Sequence, residues 1–376
     1  MDKPNKKIIH TTISPCDNER RIFNQALSAS RQGFEVEIIA LKTPDLPETA
    51  LMESVVMSRL PIRRWRGGWL KFLTFNLRLL GKLLRTDFDI LHDHDLWVLP
   101  GSAAAAVLKR RPLIYDAHEL GTELEVFRRK KFSRKIWALL EWLFIGCADE
   151  LVTINRHHAD LFQKKYSRIP APVVVLNFPR LGAGRPDASL PGFSAREKAG
   201  LFQGVYKGGR ALQQIVRAAQ KLDEGKIDFF GFGEMEEELR QFARELRVEA
   251  KVVFHGKISW EKMPENARKY RAGLVLFEPD SVNYRYAAPN KFFEYVMAGT
   301  PVIASDIPTF RDFVSEFEVG LLVNPHSVEE IARAIKTLLS DEKKWIRYHQ
   351  NCSQARKVWN WETQEEKLNA LYAKFV

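Results

Sequence analysis

The chain has 376 residues, of which 45% are hydrophobic and 28% charged, a composition typical of a folded protein and not of a disordered one. This length suits two domains of ordinary size, and no apolar run reaches the roughly 18 to 20 residues that cross a bilayer. The formal net charge is +11, with +9 in residues 1–180 and +2 in residues 181–376, so the first half favours an anionic partner: lipid, an acidic acceptor or nucleic acid.

The cysteines and the N-terminus indicate a compartment. Cys16, Cys147 and Cys352 are far apart and odd in number, which predicts neither a disulfide framework nor a zinc site and fits a reducing cytoplasm. The polar start at residues 1–7 runs directly into a short apolar stretch and shows no signal peptide. We therefore expect a cytoplasmic protein with at most a peripheral contact to the plasma membrane.

Strand-like runs alternate with helical stretches through the first half. Residues 7–13, 19–32 and 34–41 predict a strand, a helix closed by Gly33 and a second strand. Further strand-like runs follow at residues 54–60, 88–92, 112–117, 150–155 and 173–176. This alternation predicts a doubly wound parallel sheet. The first turn has no G-x-G-x-x-G pattern, which argues against a dinucleotide bound there.

Two segments of the first half combine basic and apolar side chains. Residues 61–85 hold seven basic residues, two tryptophans and no acid, and residues 127–145 place six basic residues ahead of an apolar run. This combination is typical of helices that lie in the headgroup region, and it predicts contact with an anionic membrane surface on the cytoplasmic side. A core-facing helix with a solvated basic flank is the alternative. Nucleic acid is not expected, because neither segment belongs to a known nucleic-acid module.

Histidine and aspartate cluster after two predicted strands. His92-Asp93-His94-Asp95 follows one strand, and Asp116-Ala117-His118-Glu119 follows the next. The carboxyl ends of parallel strands meet at one edge of a sheet, where ligands bind. Neither cluster has the H-E-x-x-H spacing of a helical zinc site, so we predict no metal. A structural histidine held by a neighbouring carboxylate is the alternative to a functional His118.

A break at residues 177–200 separates two α/β patterns, with three prolines, four glycines and little periodicity. We predict an N-terminal domain at residues 1–178, a linker at 179–199 and a C-terminal domain at 200–355. Residues 356–376 are predicted to contain a closing helix that crosses back to the first domain.

Two stretches of the second domain favour an anion. A glycine-rich turn at residues 204–212 leads into a helix and carries Lys207 and Arg210. A second helix opens after Pro289, with Lys291 and Glu294 one turn apart at its N-terminus. The free amides and Lys291 suit a phosphate, and Glu294 can accept from sugar hydroxyls. The alternative is a surface ion pair.

The run P-N-K-F-F-E-Y-x-x-A-G-x-P-V-I-A-S-D from Pro289, followed by G-L-L-V-N-P at 320–325, resembles the donor half of family-four glycosyltransferases with the GT-B fold. The resemblance implies two facing Rossmann-like α/β domains with the ligand in the cleft between them. It also implies transfer of a sugar from a nucleotide diphosphate sugar to a hydroxyl, with the anomeric configuration retained and no metal or other cofactor. A UDP- or GDP-sugar is the expected co-substrate.

The resemblance also implies roles for individual residues. Arg210 and Lys291 would offset the charge of the departing diphosphate, and His118 would point at the transferred sugar. The expected donor-binding set is completed by Lys207, Gly233, Gly256, Lys257, Pro289, Asn290, Phe292 and Glu294, with the ribose on Glu294. The expected acceptor-binding residues are Asp17, Arg20, His94 and Asp95. The chain departs from the family pattern at Tyr286, where many members have a second glutamate, and at Val205, where a cation is usual.

The function we predict is transfer of a hexose-type sugar to a lipid-linked or glycan acceptor, in surface polysaccharide or glycolipid assembly. A nucleotide-sugar epimerase of the same fold is one alternative. A peripheral membrane adaptor without catalysis is the other alternative, and it is consistent with the departures from the family pattern at Tyr286 and Val205.

Overall fold

The structure of the protein is a computed structural model that describes residues 6–17, 19–62, 68–127, 130–181 and 190–376. The chain divides into two compact units. The N-terminal unit comprises Met1–Asn177 together with Gln364–Val376, and the C-terminal unit comprises Phe178–Thr363. No helix in the described part of the chain is both long enough and apolar enough to cross a membrane.

The N-terminal unit contains one sheet with strand order β3-β4-β2-β1-β5-β6-β7-β8. Every pair is parallel except β3 with β4. Its elements are β1 (Lys7–Thr11), α1 (Arg20–Arg31), β2 (Glu35–Leu41), β3 (Thr49–Met52), β4 (Val55–Leu60), α2 (Trp69–Arg85), β5 (Ile90–His94), α3 (Leu99–Lys109), β6 (Leu113–Ala117), α4 (Lys131–Phe144), β7 (Glu150–Thr153), α5 (Arg156–Lys165) and β8 (Val173–Val174). The predicted parallel sheet is confirmed; β3, a short and mostly exposed edge strand, was not predicted.

The C-terminal unit contains a second, all-parallel sheet with strand order β11-β10-β9-β12-β13-β14. Its elements are β9 (Glu197–Gln203), α6 (Leu212–Ala219), β10 (Lys226–Phe230), α7 (Glu236–Glu245), β11 (Val252–Gly256), α8 (Met263–Ala267), β12 (Tyr270–Val275), α9 (Val282–Arg285), α10 (Asn290–Met297), β13 (Val302–Ser305), α11 (Pro308–Phe317), β14 (Gly320–Val323), α12 (Val328–Ser340) and α13 (Glu342–Ala355). The closing helix α14 (Trp361–Ala373) follows. Strand β9 begins at Glu197, inside the segment predicted as linker. This start was not predicted, because the first residues of the strand are polar and hide the strand pattern.

Both sheets reverse direction beside their first strand. In the N-terminal unit β1 lies between β2 and β5, and in the C-terminal unit β9 lies between β10 and β12. Ligands of doubly wound sheets bind at this reversal, beyond the carboxyl ends of the strands. The loops that follow β1, β5, β9 and β12 are therefore the places where function is expected.

An aromatic cluster holds α10 in the C-terminal unit. Phe292 stacks on Phe310 with ring centroids 5.1 Å apart, and Phe293 packs edge-on against Phe178 and Phe313. The Phe292 and Phe293 side chains of α10 are buried. This packing sets the direction of the helix, and hence the place where its N-terminus lies.

Candidate functional site

The turn after β9 forms the first part of the candidate site in the C-terminal unit. Gly204 has φ +135°, a conformation that side chains other than glycine rarely adopt. A Cβ built on Gly204 would lie 3.3 Å from Lys291 Nζ and 3.5 Å from Arg210 Nη1. The two cations therefore border the same point of the turn. Glycine at this position lets the main chain approach both of them.

Arg210 is held by the turn itself. Its Nη1 donates to the carbonyl oxygen of Val205 at 2.9 Å, and its guanidinium lies 5.8 Å from the centre of the Phe277 ring. Val205, which lacks the cation that the family pattern leads one to expect, contributes this main-chain carbonyl. Lys207 is half-buried, with Nζ 5.9 Å from the Tyr284 ring centre.

Helix α10 forms the second part of the site. Pro289 is its N-cap residue, Asn290 is its exposed first residue, and the Phe292 amide donates to the Pro289 carbonyl at 3.1 Å. The Phe292 side chain lies in the aromatic cluster, so it does not face a ligand. Tyr295 fastens the helix to β9, because its hydroxyl accepts from the Gln203 amide at 2.9 Å. This contact brings the start of α10 to the Gly204 turn.

Lys291 is a buried cation whose charge is poorly compensated. Its side chain is 8% exposed, and Nζ lies 3.7 Å from the centre of the Phe202 ring. Among the described residues, no carboxylate lies within ion-pair distance of this ammonium. Burial, and next the charge of Arg210, hold the pKa of Lys291 well below its ordinary value, while Glu294 raises it. A bound anion would remove this imbalance.

Glu294 is buried one turn after Lys291. Because both side chains are buried, they do not form the exposed ion pair of a surface helix, which was the alternative interpretation of this spacing. Tyr286, in the position where many family members have a second glutamate, follows α9 and is half-buried.

A second glycine turn, after β10, packs against the first. Gly233 has φ +155°, and a Cβ there would lie 2.2 Å from the Tyr206 carbonyl oxygen, so only glycine fits. The Tyr206 amide donates to the Phe232 carbonyl at 2.7 Å. Phe232 is exposed, and Lys257 Nζ lies 5.2 Å from its ring centre, just beyond Gly256 at the end of β11. The sequence did not single out Phe232, an aromatic face beside a cation.

The N-terminal unit places a histidine cluster at its own strand reversal. His10 on β1 lies opposite His92 on β5, and His94 lies opposite Asp116 on β6. These four side chains are buried. His10 Nδ1 lies 2.9 Å from His94 Nε2, and His94 Nδ1 lies 3.1 Å from His118 Nε2.

Asp116 is the charged centre of this cluster. Arg21 Nε and Nη2 donate to its two carboxylate oxygens at 3.0 and 2.7 Å, and Gln25 Nε2 donates at 2.7 Å. Burial opposes the charge of Asp116, but Arg21 and then His118 more than offset this, and they hold its pKa well below the usual range. Arg21 and Gln25, which follow Arg20 on the inner face of α1, were not predicted from the sequence.

His118 is the member of the cluster that reaches solvent. Its side chain is 16% exposed, with Nδ1 at 3.4 Å from Asp95 Oδ2 and Nε2 at 3.5 Å from Asp116 Oδ2. Burial opposes its charge, but Asp95 and Asp116 outweigh burial and raise the pKa of His118 above its ordinary value. His118 is thus fixed by its neighbours and also accessible, so the structural and functional interpretations are both compatible with its surroundings.

The residues predicted to bind an acceptor fall into different surroundings. Asp95 is partly exposed, and its Oδ1 accepts from the His118 amide at 3.0 Å. Asp17 is exposed in the loop after β1, and Arg20 is the half-buried first residue of α1. His94 is buried between two histidines, so it can act on a ligand only through His118. The expectation of a direct acceptor contact by His94 therefore does not fit its burial.

Two groups of side chains in the described N-terminal unit bring metal-type ligand atoms within 4.8 Å of one another: His10, His92 and His94, and His94, Asp116 and His118. The His92 and His94 rings stack 4.6 Å apart at an interplanar angle of 18°. The two rings therefore lie in nearly parallel planes, an arrangement that does not favour convergence of their lone pairs on one metal ion. Both oxygens of Asp116 already accept from Arg21. The absence of a metal requirement stays a prediction.

Two family models match the chain. The model described as Glycosyltransferase Family 4 matches residues 19–177, and the model described as Glycosyl transferases group 1 matches residues 195–358. The first match covers most of the N-terminal unit, including His92, His94 and His118 but not His10. The second covers the turns after β9 and β10 and the whole of α10.

Individual proteins are similar over nearly the full length. The D-inositol 3-phosphate glycosyltransferase of Corynebacterium glutamicum is 25% identical, over 93% of this chain and 90% of that protein. The structure of Anabaena HepE in complex with UDP-glucose has a TM-score of 0.76 at 16% identity, covering 98% of this chain and 99% of that one. The structure of WaaG, a glycosyltransferase involved in lipopolysaccharide biosynthesis, has a TM-score of 0.71 at 14% identity, covering 96% and 98%. At these identities the two structures show the fold alone.

Proposed function

We propose, from the premise that the chain belongs to the group 1, family 4 glycosyltransferases with the GT-B fold, that it transfers a hexose-type sugar from a UDP- or GDP-sugar to a hydroxyl of a lipid-linked acceptor. The place of this reaction would be surface polysaccharide or glycolipid assembly at the inner face of the plasma membrane. The glycosyltransferase class follows from the family. The donor, the acceptor and the location are the proposal.

The observation that carries the donor proposal is the buried Lys291 at the N-terminus of α10. Its ammonium lacks a carboxylate partner within the described chain and borders the Gly204 turn together with Arg210. A diphosphate placed there would receive two cations and the amides at the start of α10. Glu294, one turn deeper, would accept from ribose hydroxyls. The solved structure of HepE with UDP-glucose supports a uridine nucleotide as the first candidate.

The chemical step that suits these residues is stabilisation of a leaving group. Negative charge grows on the diphosphate as the bond to the sugar breaks, and preorganised cations next to that charge lower the barrier. Arg210 and Lys291 would do this without a metal. The diphosphate itself would accept the proton of the attacking hydroxyl on the same face, which retains the anomeric configuration. No side chain is assigned as nucleophile, and His118 is assigned to the sugar.

Titration calorimetry with UDP, GDP and ADP tests the donor site directly. We expect micromolar binding of one nucleotide to the wild-type protein, and at least a 10-fold weaker affinity for Glu294→Ala, about 1.4 kcal/mol, because two ribose hydrogen bonds are lost. Glu294→Gln keeps the shape and one acceptor and should lose less. Binding of none of the three nucleotides by folded protein would contradict the proposal, as would equal binding by Glu294→Ala.

The proposed membrane contact rests on exposed apolar side chains of α2 and α4. On α2, Trp69 is 66% exposed, and on α4, Phe132 and Trp142 are 78% and 64% exposed. The helices pack against each other through Phe72 and Trp137, whose ring centroids lie 5.2 Å apart. The outward apolar residues of both helices are Trp69, Leu73, Leu77, Leu84, Phe132, Ile136, Leu139, Trp142 and Leu143.

Charge supports an anionic surface as the partner. Helix α2 has no acidic residue, and the single acid of α4, Glu141, is buried against Tyr166 and Lys165. The described basic residues of α2, of α4 and of its N-cap are Lys71, Arg78, Lys82, Arg85, Lys130, Lys131, Arg134 and Lys135, of which Lys82 is paired with Glu37 and Arg134 with Glu123. Arg63, Arg64, Trp65, Arg66, Arg128 and Arg129, which belong to the same two segments, lie outside the described residues. Apolar and cationic groups on one pair of helices suit an anionic lipid surface.

Vesicle sedimentation measures this contact. We expect the wild-type protein to bind vesicles containing anionic lipid and to bind zwitterionic vesicles weakly. Trp69→Ser/Trp142→Ser should lower the partition coefficient by about 10-fold or more, because two large apolar groups no longer insert. The control is Leu51→Ser, which removes an exposed apolar side chain from β3 and should change nothing. Equal binding by the double variant and the wild type would show that α2 and α4 are not the contact.

A further inference from the structure

Three histidines form a hydrogen-bonded chain that leads from the core of the N-terminal unit to its surface. His10 and His94 are buried, and His118 is partly exposed. His94 contacts His10 through Nε2 and His118 through Nδ1. A neutral imidazole has one N–H and one lone pair, so the donor in one contact determines the donor in the next. The positions of the N–H protons on His10, His94 and His118 are therefore linked.

The two nitrogens of His118 both face carboxylates. Nδ1 lies 3.4 Å from Asp95 Oδ2, and Nε2 lies 3.5 Å from Asp116 Oδ2 as well as 3.1 Å from His94 Nδ1. A lone pair that faces a carboxylate oxygen without a proton between them is unfavourable. Neutral His118 carries a proton on only one of its two ring nitrogens, and the neighbouring groups determine which nitrogen that is.

His94 can place a proton between His118 Nε2 and Asp116 Oδ2, but it does not reach the Nδ1 side of His118. When His118 is charged, its Nε2–H donates to His94 Nδ1, His94 Nε2–H donates to His10 Nδ1, and the three rings carry four N–H protons. When His118 is neutral, His94 can turn its proton to Nδ1, where it lies between His118 Nε2 and Asp116 Oδ2, 3.6 Å away. His10 then donates through Nδ1, and the rings carry three protons. Within the described residues Asp95 has no such neighbour, so Nδ1 of His118 keeps its proton.

We propose that His94 and His10 are positioning residues that keep Nδ1 of His118 protonated in both charge states, so that His118 always offers a hydrogen-bond donor to an oxygen of the bound donor or acceptor. The Nδ1 side is the available one, since Nε2 is turned towards buried His94 while Nδ1 lies beside partly exposed Asp95. The ligand part of this inference rests on the proposed transferase function; the proton arrangement does not.

The other charged and titratable groups around the three histidines are expected to keep their protonation states while His118 titrates. Arg21 from α1 keeps Asp116 ionised. His92 Nδ1 lies 2.8 Å from the Tyr372 hydroxyl of α14, and its Nε2 lies 3.9 Å from Asp116 Oδ2. Burial, followed by the neighbouring histidines, holds the pKa values of His10, His92 and His94 well below the ordinary value. Buried Asp93 bonds to Thr11 instead. The pKa of His118 is instead raised above its ordinary value, because Asp95 and Asp116 outweigh burial.

The wild-type protein tests the proton arrangement without any substitution. With nitrogen-15 in its nine histidines, long-range proton–nitrogen spectra distinguish Nδ1–H from Nε2–H in each ring. As His118 loses its charge, at a midpoint above 6.5, His94 and His10 should change from Nε2–H to Nδ1–H at the same midpoint. Retention of one tautomer by His94 throughout the titration of His118 would overturn the inference.

Two substitutions at His94 test the consequence for activity. His94→Leu removes the donor to Nε2, so neutral His118 should carry its proton on Nε2, facing Asp116. The loss in kcat/KM should then be small at a pH where His118 is charged and about 10-fold larger at a pH where His118 is neutral, both chosen from its measured titration. His94→Gln, whose amide can accept or donate, should restore most of the activity. A loss of equal size at both pH values would indicate a merely structural His94. Absence of activity in the wild type would count against the proposed function and leave the spectra to decide the tautomers.

Discussion

Replacing Lys291 by methionine is expected to lower catalysis strongly while making the protein more stable. The ammonium is buried against Phe202 beside Arg210 and lacks a carboxylate partner in the described structure. Methionine fills a similar volume without the charge, so the free energy of unfolding should rise by about 1 kcal/mol or more. The same change removes a preorganised cation from the leaving diphosphate, and kcat/KM should fall by about 10²- to 10³-fold.

The pH dependence of stability gives an independent measure of this site. Because the pKa of Lys291 is lowered from 10.5 in the folded chain, the unfolded chain binds this proton more tightly. The destabilising effect of Lys291 is therefore complete at pH values below its folded pKa, and it is relieved as the pH rises towards 10.5. Urea unfolding at a series of pH values should show this rise in the wild type and lose it in Lys291→Met.

Nucleotide binding should reverse the shift. A diphosphate next to Lys291 favours its charged form, so binding at a pH above the lowered pKa should take up a proton. Calorimetric titration in two buffers of different ionisation enthalpy measures that proton. Lys336→Met, which removes an exposed lysine paired with Asp223, is the matched control and should change neither affinity nor proton uptake. If Lys291→Met binds nucleotide as well as the wild type does, the assignment of this cation to the diphosphate is wrong.

Replacing Arg21 by methionine is expected to destabilise the N-terminal unit by about 3 to 5 kcal/mol, because it leaves the charge of Asp116 buried and poorly compensated. Arg21 donates to both oxygens of Asp116 and, through Nη1, to the Val175 carbonyl at 2.6 Å. Urea unfolding followed by tryptophan fluorescence measures the loss. Arg21→Met/Asp116→Asn should recover part of it, since the isolated charge is then gone.

The pH dependence of this pair has the opposite sign to that of Lys291. The folded pKa of Asp116 lies below 3.8, so its stabilising effect is complete above pH 3.8 and is lost as the pH falls through the folded pKa. In Arg21→Met this loss should begin at a higher pH. The matched control is Arg311→Met, which breaks an exposed pair with Asp306 and should lower the stability far less, because solvent screens an exposed pair. Equal effects of the two substitutions would contradict the role given to Arg21.

The elements were predictable where local pattern and burial coincide. The parallel strands of the N-terminal unit are short, mostly β-branched and aliphatic runs, and each of them was predicted, whereas β12 of the C-terminal unit was not. Strand β3 was missed because its exposed residues carry no hydrophobic alternation and depend on pairing with β4. The start of β9 was missed for the same reason, since Glu197 and Lys198 are polar and gain their place from the neighbouring strand β12.

The candidate site was predictable to the extent that it lies in continuous sequence. Lys291, Glu294 and the glycine turns each belong to a single local stretch whose order of residues carries the signal. The burial of Lys291 against Phe202 was not predictable, because it needs β9 and α10 to pack together. Phe232 gave no signal as an isolated aromatic residue.

The sequence by itself determined the two α/β units, the glycosyltransferase family and the residues that border the proposed diphosphate position, because helix periodicity, strand composition and turn glycines act within a few residues. Only the tertiary structure decided the partners of the charged groups. His10 meets His92 through the register of β1 with β5, and Arg21 meets Asp116 through the packing of α1 on the sheet. Electrostatic energies depend on distance in space and on burial, and both are set by pairings between residues far apart in the chain.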